Sequence, residues 1–303
     1  MKALRVHEYG GSLILENVDE PVAREGEVVI RVSATTFNPI DIGRAKGIYK
    51  DMFPVDFPWI PGGDASGIVE SVGTGVTNFN VGDQVFGYSL AGGAYAELMP
   101  IDASSITIKP EAITHEGAVA IGMVGQTALQ ALQLAKMEAG QTVLIHGGGG
   151  GVGSLAVQLA HKQGLKVITT ASSTQKVELI KLGADVVIDY KTERFEDMIE
   201  PVDIVLDLIG GDVQSRSYNI IKPGGYMIGS NQPPDPKECE SHHIHGGMVQ
   251  VEVKSTGLKE FADRVVAGDI VPVIASVETL WNPNEIWAKR PSGSAIGKLI
   301  YTL

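Results

Sequence analysis

At 303 residues the chain has room for about two domains of ordinary size and a proper buried core, so folding needs no disulfide or metal staple. A formal charge of −12 repels phosphate backbones and anionic bilayers, which sets aside nucleic acid and membrane as general partners but leaves room for a local basic pocket. Cys239 is the single cysteine and forms no disulfide within the chain, and no apolar run is long enough for a signal peptide or a membrane span, so a cytoplasmic protein is expected.

The first third reads as β structure. Lys2–His7, Glu27–Val32, Gly67–Val72, Gln84–Phe86 and Tyr95–Met99 are short runs rich in β-branched and aromatic residues, separated by glycine, proline and aspartate turns. That spacing predicts a small, partly open barrel. From about Glu111 the rhythm changes. Residues 118–134 carry alanine and leucine at helical spacing, and strands then alternate with helices: strands at 142–145, 167–170, 186–188, 202–206 and 226–228, the last after the turn 222–225, with helices between. Strand–helix–strand alternation predicts a doubly wound parallel sheet. A helix at 258–267 and β-like pieces at 270–277 and 298–302 close the chain, and their character suggests a return to the first unit.

The motif that carries most chemistry lies where the strand 142–145 runs into His146 and a run of glycines ending at Gly153. Gly148-x-Gly150-x-x-Gly153 supplies, in order, a tight turn, a backbone that a pyrophosphate can approach, and close packing of helix on strand. The free N–H groups of the helix N-terminus face the phosphates. A dinucleotide that binds in this way meets its next selection about 20 positions on, where an acidic residue holds the ribose of NAD. Here the segment reads Thr170-Ala-Ser172-Ser-Thr-Gln-Lys176, with no carboxylate. Hydroxyls and an ammonium suit a 2′-phosphate, so NADPH is favoured. The bland alternative is that Ser172 and Ser173 merely cap the helix and Lys176 is solvated.

Five stretches together resemble the zinc-free quinone oxidoreductases, the zeta-crystallin-like branch of the medium-chain dehydrogenase/reductase superfamily. They are Phe37-Asn-Pro-Ile-Asp41 with Gly47-Ile-Tyr49; Gly62-Gly-Asp64-Ala-Ser-Gly67; Gly125-Gln-Thr127; the segment from Val143 through the glycine run to Ala160; and Leu182-Gly-Ala-Asp185 through Tyr190. The resemblance implies an α/β chain with a GroES-like β-barrel catalytic domain, residues 1–113 and 256–303, and a Rossmann dinucleotide-binding domain, residues 114–255. It implies a cofactor in the cleft between them, with Gly150, Gly151, Val152 and Gly153 at the pyrophosphate, Ser172, Lys176 and Tyr190 around the 2′-phosphate and adenosine, and Thr127 near the nicotinamide. Tyr190 also reads as an ordinary strand-end aromatic. Two positions depart from the family pattern. Ile296 stands where an arginine often precedes the final Gly-Lys, and Gly43 stands where a bulkier residue is common, which implies a wider substrate pocket.

Zinc-dependent relatives place Cys, His and Glu where this chain has Asn38 with Asp41 and Gly63-Asp64, and one cysteine makes no four-cysteine site. Cys239-x-x-His242-His243-x-His245 reads as a solvated loop that could bind metal adventitiously. Asp64 reads as a structural hydrogen-bonding carboxylate. Without a Lewis acid, reduction of a quinone is favoured, with reduction of an enone or alkenal double bond as the alternative. Asn38 and Tyr49 are the candidate donors to the oxygen that gains charge, and Tyr49 could also supply a proton. Their bland readings are a turn asparagine and a pocket-wall tyrosine. A reading of another class is a crystallin-like protein that binds the nucleotide and turns over little. Tyr218-x-x-x-Lys222 matches the short-chain dehydrogenase pattern but sits in the wrong place for it. The family implies a small-molecule acceptor and often a homodimer.

Overall fold

The computed structural model describes residues 1–288 and 295–303; residues 289–294, within the expected C-terminal stretch of the β unit, lie outside the described residues. The strand Glu27–Thr36 organises the β unit. It pairs antiparallel with Asp64–Val72, while its first half also carries Leu98–Asp102 and its last residues carry Lys298–Thr302. Gln84–Tyr88 and Ile106–Ile108 extend the sheet on one side, and Ile274–Thr279 on the other. The pairing of Ile300 with Thr36 brings the C-terminus back to the first third of the chain. Val28, Ile30, Val32, Val69, Val85 and Met99 form the core of this unit, each such side chain contributing roughly 1.5–3 kcal/mol by leaving water.

The second sheet is parallel. Its spatial order is Val186–Asp189, Lys166–Ala171, Thr142–His146, Val202–Asp207, Ile221–Gly229 and His245–Met248. In chain order this is 3-2-1-4-5-6, the Rossmann arrangement, whose ligand crevice lies at the carboxyl ends of the strands where the winding reverses. The helix Gly151–Lys162 follows the first of these strands; of the apolar face that periodicity predicts, Leu155, Ala156, Leu159 and Ala160 are buried and Val152 is half-buried. The sixth strand was not legible, because His-Gly-Gly-Met carries no β-branched pattern; only backbone pairing, Tyr226 opposite His245, makes it a strand. The helix expected between the strands 167–170 and 186–188 opens instead as a 3₁₀ turn, Ser173–Gln175, and becomes α-helical over Lys176–Lys181. The expected turn 222–225 is a bulged part of the strand Ile221–Gly229.

The helix His115–Leu134 joins the two units. Thr114 opens it by accepting the Gly117 N–H at 3.1 Å. Strands of the β unit lie against one side of it, and the helices Gly151–Lys162 and Ser255–Val266 against another. Ser255–Val266 buries Leu258, Phe261 and Ala262, and the Phe261 ring rests on Gly125 of the long helix.

Candidate active site

The glycine turn sits at the carboxyl end of Thr142–His146, at the winding reversal. Its left-handed residue is Gly147, with φ of 81°, rather than Gly148. A side chain at Gly148 would strike the Thr169 hydroxyl on the neighbouring strand, and one at Gly153 would run into the Gly147 carbonyl. Gly150 differs from both: a Cβ there meets only the Gly147 carbonyl, at 3.4 Å, and otherwise open space. No side chain caps the helix that starts at Gly151. The first N–H groups of the helix, on Gly151, Val152 and Gly153, therefore have no intrahelical partner and face that space. The turn thus offers unpaired N–H donors beside a position where a Cβ would meet nothing nearer than 3.4 Å.

At the far end of this crevice, Ser172 follows the strand Lys166–Ala171. Its hydroxyl shares a hydrogen bond with Thr174 at 2.9 Å, and its N–H donates to Gln175 Oε1 at 3.2 Å. Lys176 is exposed on the first turn of its helix. Tyr190 is 62 % exposed and hangs from the next strand, its N–H donating to Ala171 O. Ser172, Lys176 and Tyr190 thus gather at the ends of two adjacent strands.

At the near end the two units meet in a buried polar junction. Asp64 is fully buried and accepts from the Met123 N–H of the long helix at 2.8 Å, the Thr36 hydroxyl at 2.9 Å and Asn38 Nδ2 at 2.7 Å. Gly122 permits this approach, since a Cβ there would lie 2.5 Å from the Asp64 carboxylate. Lys298 sends its ammonium to Asn38 Oδ1 at 2.6 Å and Phe37 O at 2.7 Å, while its stem passes beneath Gly151. Burial lowers the Lys298 pKa, against the attraction of Asp64 and Asp41. Burial pushes the Asp41 carboxyl up to about 7, opposed by the Asn38 N–H it accepts at 3.0 Å and by Lys298 and Arg44. Thr127 lies one turn along the long helix, its hydroxyl donating to Met123 O at 2.8 Å. Asn38 therefore spends its amide inside the junction, whereas Tyr49 is 37 % exposed.

Gly43 does not widen a pocket, because the Tyr49 ring occupies the space a side chain there would fill. Next to it, Arg44 donates to Phe53 O at 3.3 Å, to Pro54 O at 3.2 Å and to Leu90 O, and its guanidinium lies 4.8 Å from the centre of the Trp59 ring. One arginine thus ties the loop after Tyr49 to the loop after Tyr88. Ile48, Met52 and Leu90 project from these loops as exposed apolar groups. The sequence reading missed Lys298, Arg44 and Tyr88 as parts of this site. The final Gly-Lys of the family pattern was the one signal available for Lys298.

Among the described residues, no three His, Cys, Asp or Glu side chains are grouped to hold a metal ion. Cys239 is buried, and His242 leans on Glu238 O and Asn219 rather than on the thiol. Tyr218 uses its hydroxyl to accept the Asp235 N–H, and Lys222 pairs with Asp203, so Tyr218-x-x-x-Lys222 is not a functional pair. No helix among the described residues is long and apolar enough to cross a membrane.

Two family models match the chain: the alcohol dehydrogenase GroES-like domain over residues 24–111 and the zinc-binding dehydrogenase over residues 151–265. The chain is 32 % identical over 290 residues to an NADPH-dependent alkenal/one oxidoreductase, chloroplastic, of Arabidopsis thaliana, covering 90 % of this chain and 72 % of that protein. It is 31 % identical over 298 residues to a quinone oxidoreductase of Mus musculus, covering 91 % and 89 %. The solved quinone oxidoreductase of Coxiella burnetii superposes with a TM-score of 0.91 at 31 % identity, covering 100 % of this chain and 99 % of that one.

Proposed function

The chain belongs to the zinc-free quinone oxidoreductase, zeta-crystallin-like branch of the medium-chain dehydrogenase/reductase superfamily, and on that premise we propose that it reduces quinones with NADPH. The observation that carries this reading is the open space over Gly150 beside an uncapped helix N-terminus, fitted to a diphosphate. Ser172, Lys176 and Tyr190 would hold the 2′-phosphate and adenosine, and Gly148, Gly150, Gly151, Val152 and Gly153 the pyrophosphate, with Thr127 toward the nicotinamide. The cofactor supplies the hydride. The chain's own residues hold the acceptor at the junction, exclude water from it and stabilise the oxygen that gains charge.

Asn38 acts by position. It fixes Lys298 and Asp64 relative to each other, and Asp64 in turn accepts the Met123 N–H of the long helix. Tyr49, whose ring is seated on Gly43, would donate to the acceptor. No metal takes part in this reaction scheme: Asp64, which stands with Gly63 where zinc-dependent relatives have His and Glu, has both oxygens engaged by N–H and O–H donors. The domain division at 113/114 and 255/256 stands as part of the proposal, with Ser255–Val266 at the junction of the two units. A cytoplasmic setting, supported by the lone cysteine, and a homodimer, to be read by light scattering, complete it.

Oxidation of NADPH with a panel of quinones and enones tests the reading. Hydroquinone as product upholds quinone reduction. A saturated carbonyl with inert quinones selects the alkenal/enone reading, which the Arabidopsis relative supports. Tight NADPH binding with no accelerated oxidation leaves the crystallin-like binding protein.

A further inference from the structure

The polar groups of the junction bond chiefly to one another, and Tyr88 stands apart from them. Asn38 Nδ2 donates to Asp64 and Thr36, the Thr36 hydroxyl donates to Asp64, and Lys298 directs two of its three N–H bonds to Asn38 and Phe37. Tyr88 closes the strand Gln84–Tyr88 and pairs across the ladder with Asp64. Its ring fills the space over Gly63, where any side chain would collide with it. The residue is 7 % exposed, and its hydroxyl has no hydrogen-bond partner among the described residues, yet it is not one of the sealed polar atoms. The hydroxyl is therefore open to solvent, and an acceptor brought to that opening would replace water as its partner.

Three charged groups act on that hydroxyl: Asp41 and Asp64, which oppose negative charge there, and Arg44, which favours it. Arg44 fixes the loop that follows Tyr88 through Leu90 O and the loop that follows Tyr49 through Phe53 O and Pro54 O. The rings of Tyr49 and Tyr88 rest on Gly43 and Gly63, and the chain segments that Arg44 ties together carry the exposed apolar side chains Ile48, Met52 and Leu90. Burial also raises the Tyr88 pKa, which keeps the O–H in its donor form throughout the neutral range.

We propose that Tyr88 is a catalytic residue whose hydroxyl donates a hydrogen bond to the carbonyl oxygen of the acceptor, in a seat walled by Tyr49 and rimmed by Ile48, Met52 and Leu90. The assignment rests on the quinone or enone reductase reading. As hydride adds to the acceptor, negative charge gathers on its oxygen, and a donor already aimed there stabilises that charge more than it stabilises the neutral carbonyl.

The test is Tyr88→Phe, which keeps the ring on Gly63 and removes only the donor. Three quantities are measured beside the wild type: NADPH affinity by fluorescence, steady-state turnover, and binding of a saturated ketone matched to the best acceptor. The expected result is kcat/KM reduced on the order of a hundredfold, ketone affinity reduced roughly tenfold and NADPH affinity unchanged. Turnover and ketone binding that match the wild type overturn the assignment and leave the reductase reading intact. A loss of NADPH affinity overturns it as well, moving Tyr88 to the cofactor seat. A wild type inactive on every acceptor removes the reductase reading and this assignment together.

Discussion

Lys298 Nζ lies 2.6 Å from Asn38 Oδ1, although 260 positions of chain separate the two residues. The contact closes the C-terminal strand onto the start of the helix Pro39–Ala45, and through Asn38 it reaches Asp64 and the long helix. Removing the cation leaves Asn38 Oδ1 and Phe37 O without their donor and Asp64 and Asp41 without a compensating charge. Breaking a buried ionic group from one side typically costs about 3–5 kcal/mol. Lys298→Met, which keeps the stem under Gly151, is expected to lose stability on that scale in urea unfolding. A loss below about 1 kcal/mol, the range of exposed ion pairs, would mean that the junction does not hold the units together.

Asp41 adds a pH dependence to the same junction. Its carboxyl is raised above the ordinary value to about 7, first by burial and then by Asp64, while the Asn38 N–H, Lys298 and Arg44 pull the other way. A raised folded-state pKa means that the folded protein holds a proton that the unfolded chain has released. The stabilisation is fully present below the unfolded value, near pH 4, and is lost as pH rises through about 7. The wild type should therefore lose stability relative to Asp41→Asn as pH rises between 4 and 7, and the two curves should run parallel above that window. Melting temperatures of both proteins across this range provide the measurement, and parallel curves throughout would show that Asp41 does not titrate there.

These two residues mark where sequence reading stops. The parallel sheet was legible because strand, glycine run and helix follow each other within a few residues, and each has a local cause: β-branched runs, the turn at Gly147, the apolar face through Leu155 and Leu159. The GroES-like and Rossmann units followed from the same local signals together with the family resemblance. The junction had no such signal. Lys298 meets Asn38 only through tertiary pairing, and Arg44 binds backbone carbonyls, which carry no side-chain signature. Tyr88 lies just beyond the strand expected at Gln84–Phe86 and belongs to no motif; that its hydroxyl has no protein partner emerges only from the structure. The supposed vacancy at Gly43 was misread because Tyr49, a few residues on, folds back over it.

Gly150 and Gly153 should separate binding from folding. A methyl at Gly153 runs into the Gly147 carbonyl, a backbone atom that cannot swing away, and overpacking of this kind costs about 1–3 kcal/mol. A methyl at Gly150 meets only one atom, at 3.4 Å, and otherwise projects into the space assigned to the pyrophosphate. Gly150→Ala should therefore melt within a degree or two of the wild type and bind NADPH at least about tenfold more weakly. Gly153→Ala should lose stability as well. Unchanged affinity in Gly150→Ala would place the diphosphate elsewhere.

A metal-free reaction predicts indifference to chelators. Asp64 gives both carboxylate oxygens to N–H and O–H donors, and Asn38 stands in for the first cysteine of the zinc-dependent pattern. Dialysis against EDTA should leave quinone turnover unchanged. Activity that falls on dialysis and returns with zinc would overturn the scheme.

Lys176 decides the coenzyme. It is exposed on the turn after Ser172, and no carboxylate occupies the strand end from Thr170 to Lys176 where an NAD site would place one. A 2′-phosphate there gains a charge-assisted contact from the ammonium, whereas a ribose hydroxyl gains little. Lys176→Ala is expected to weaken NADPH binding roughly ten- to a hundredfold while changing NADH binding by less than about threefold. The difference should shrink as salt is raised, since the contact is open to solvent. Equal losses for the two coenzymes would detach Lys176 from the 2′-phosphate and leave Ser172 and Tyr190 to account for any preference.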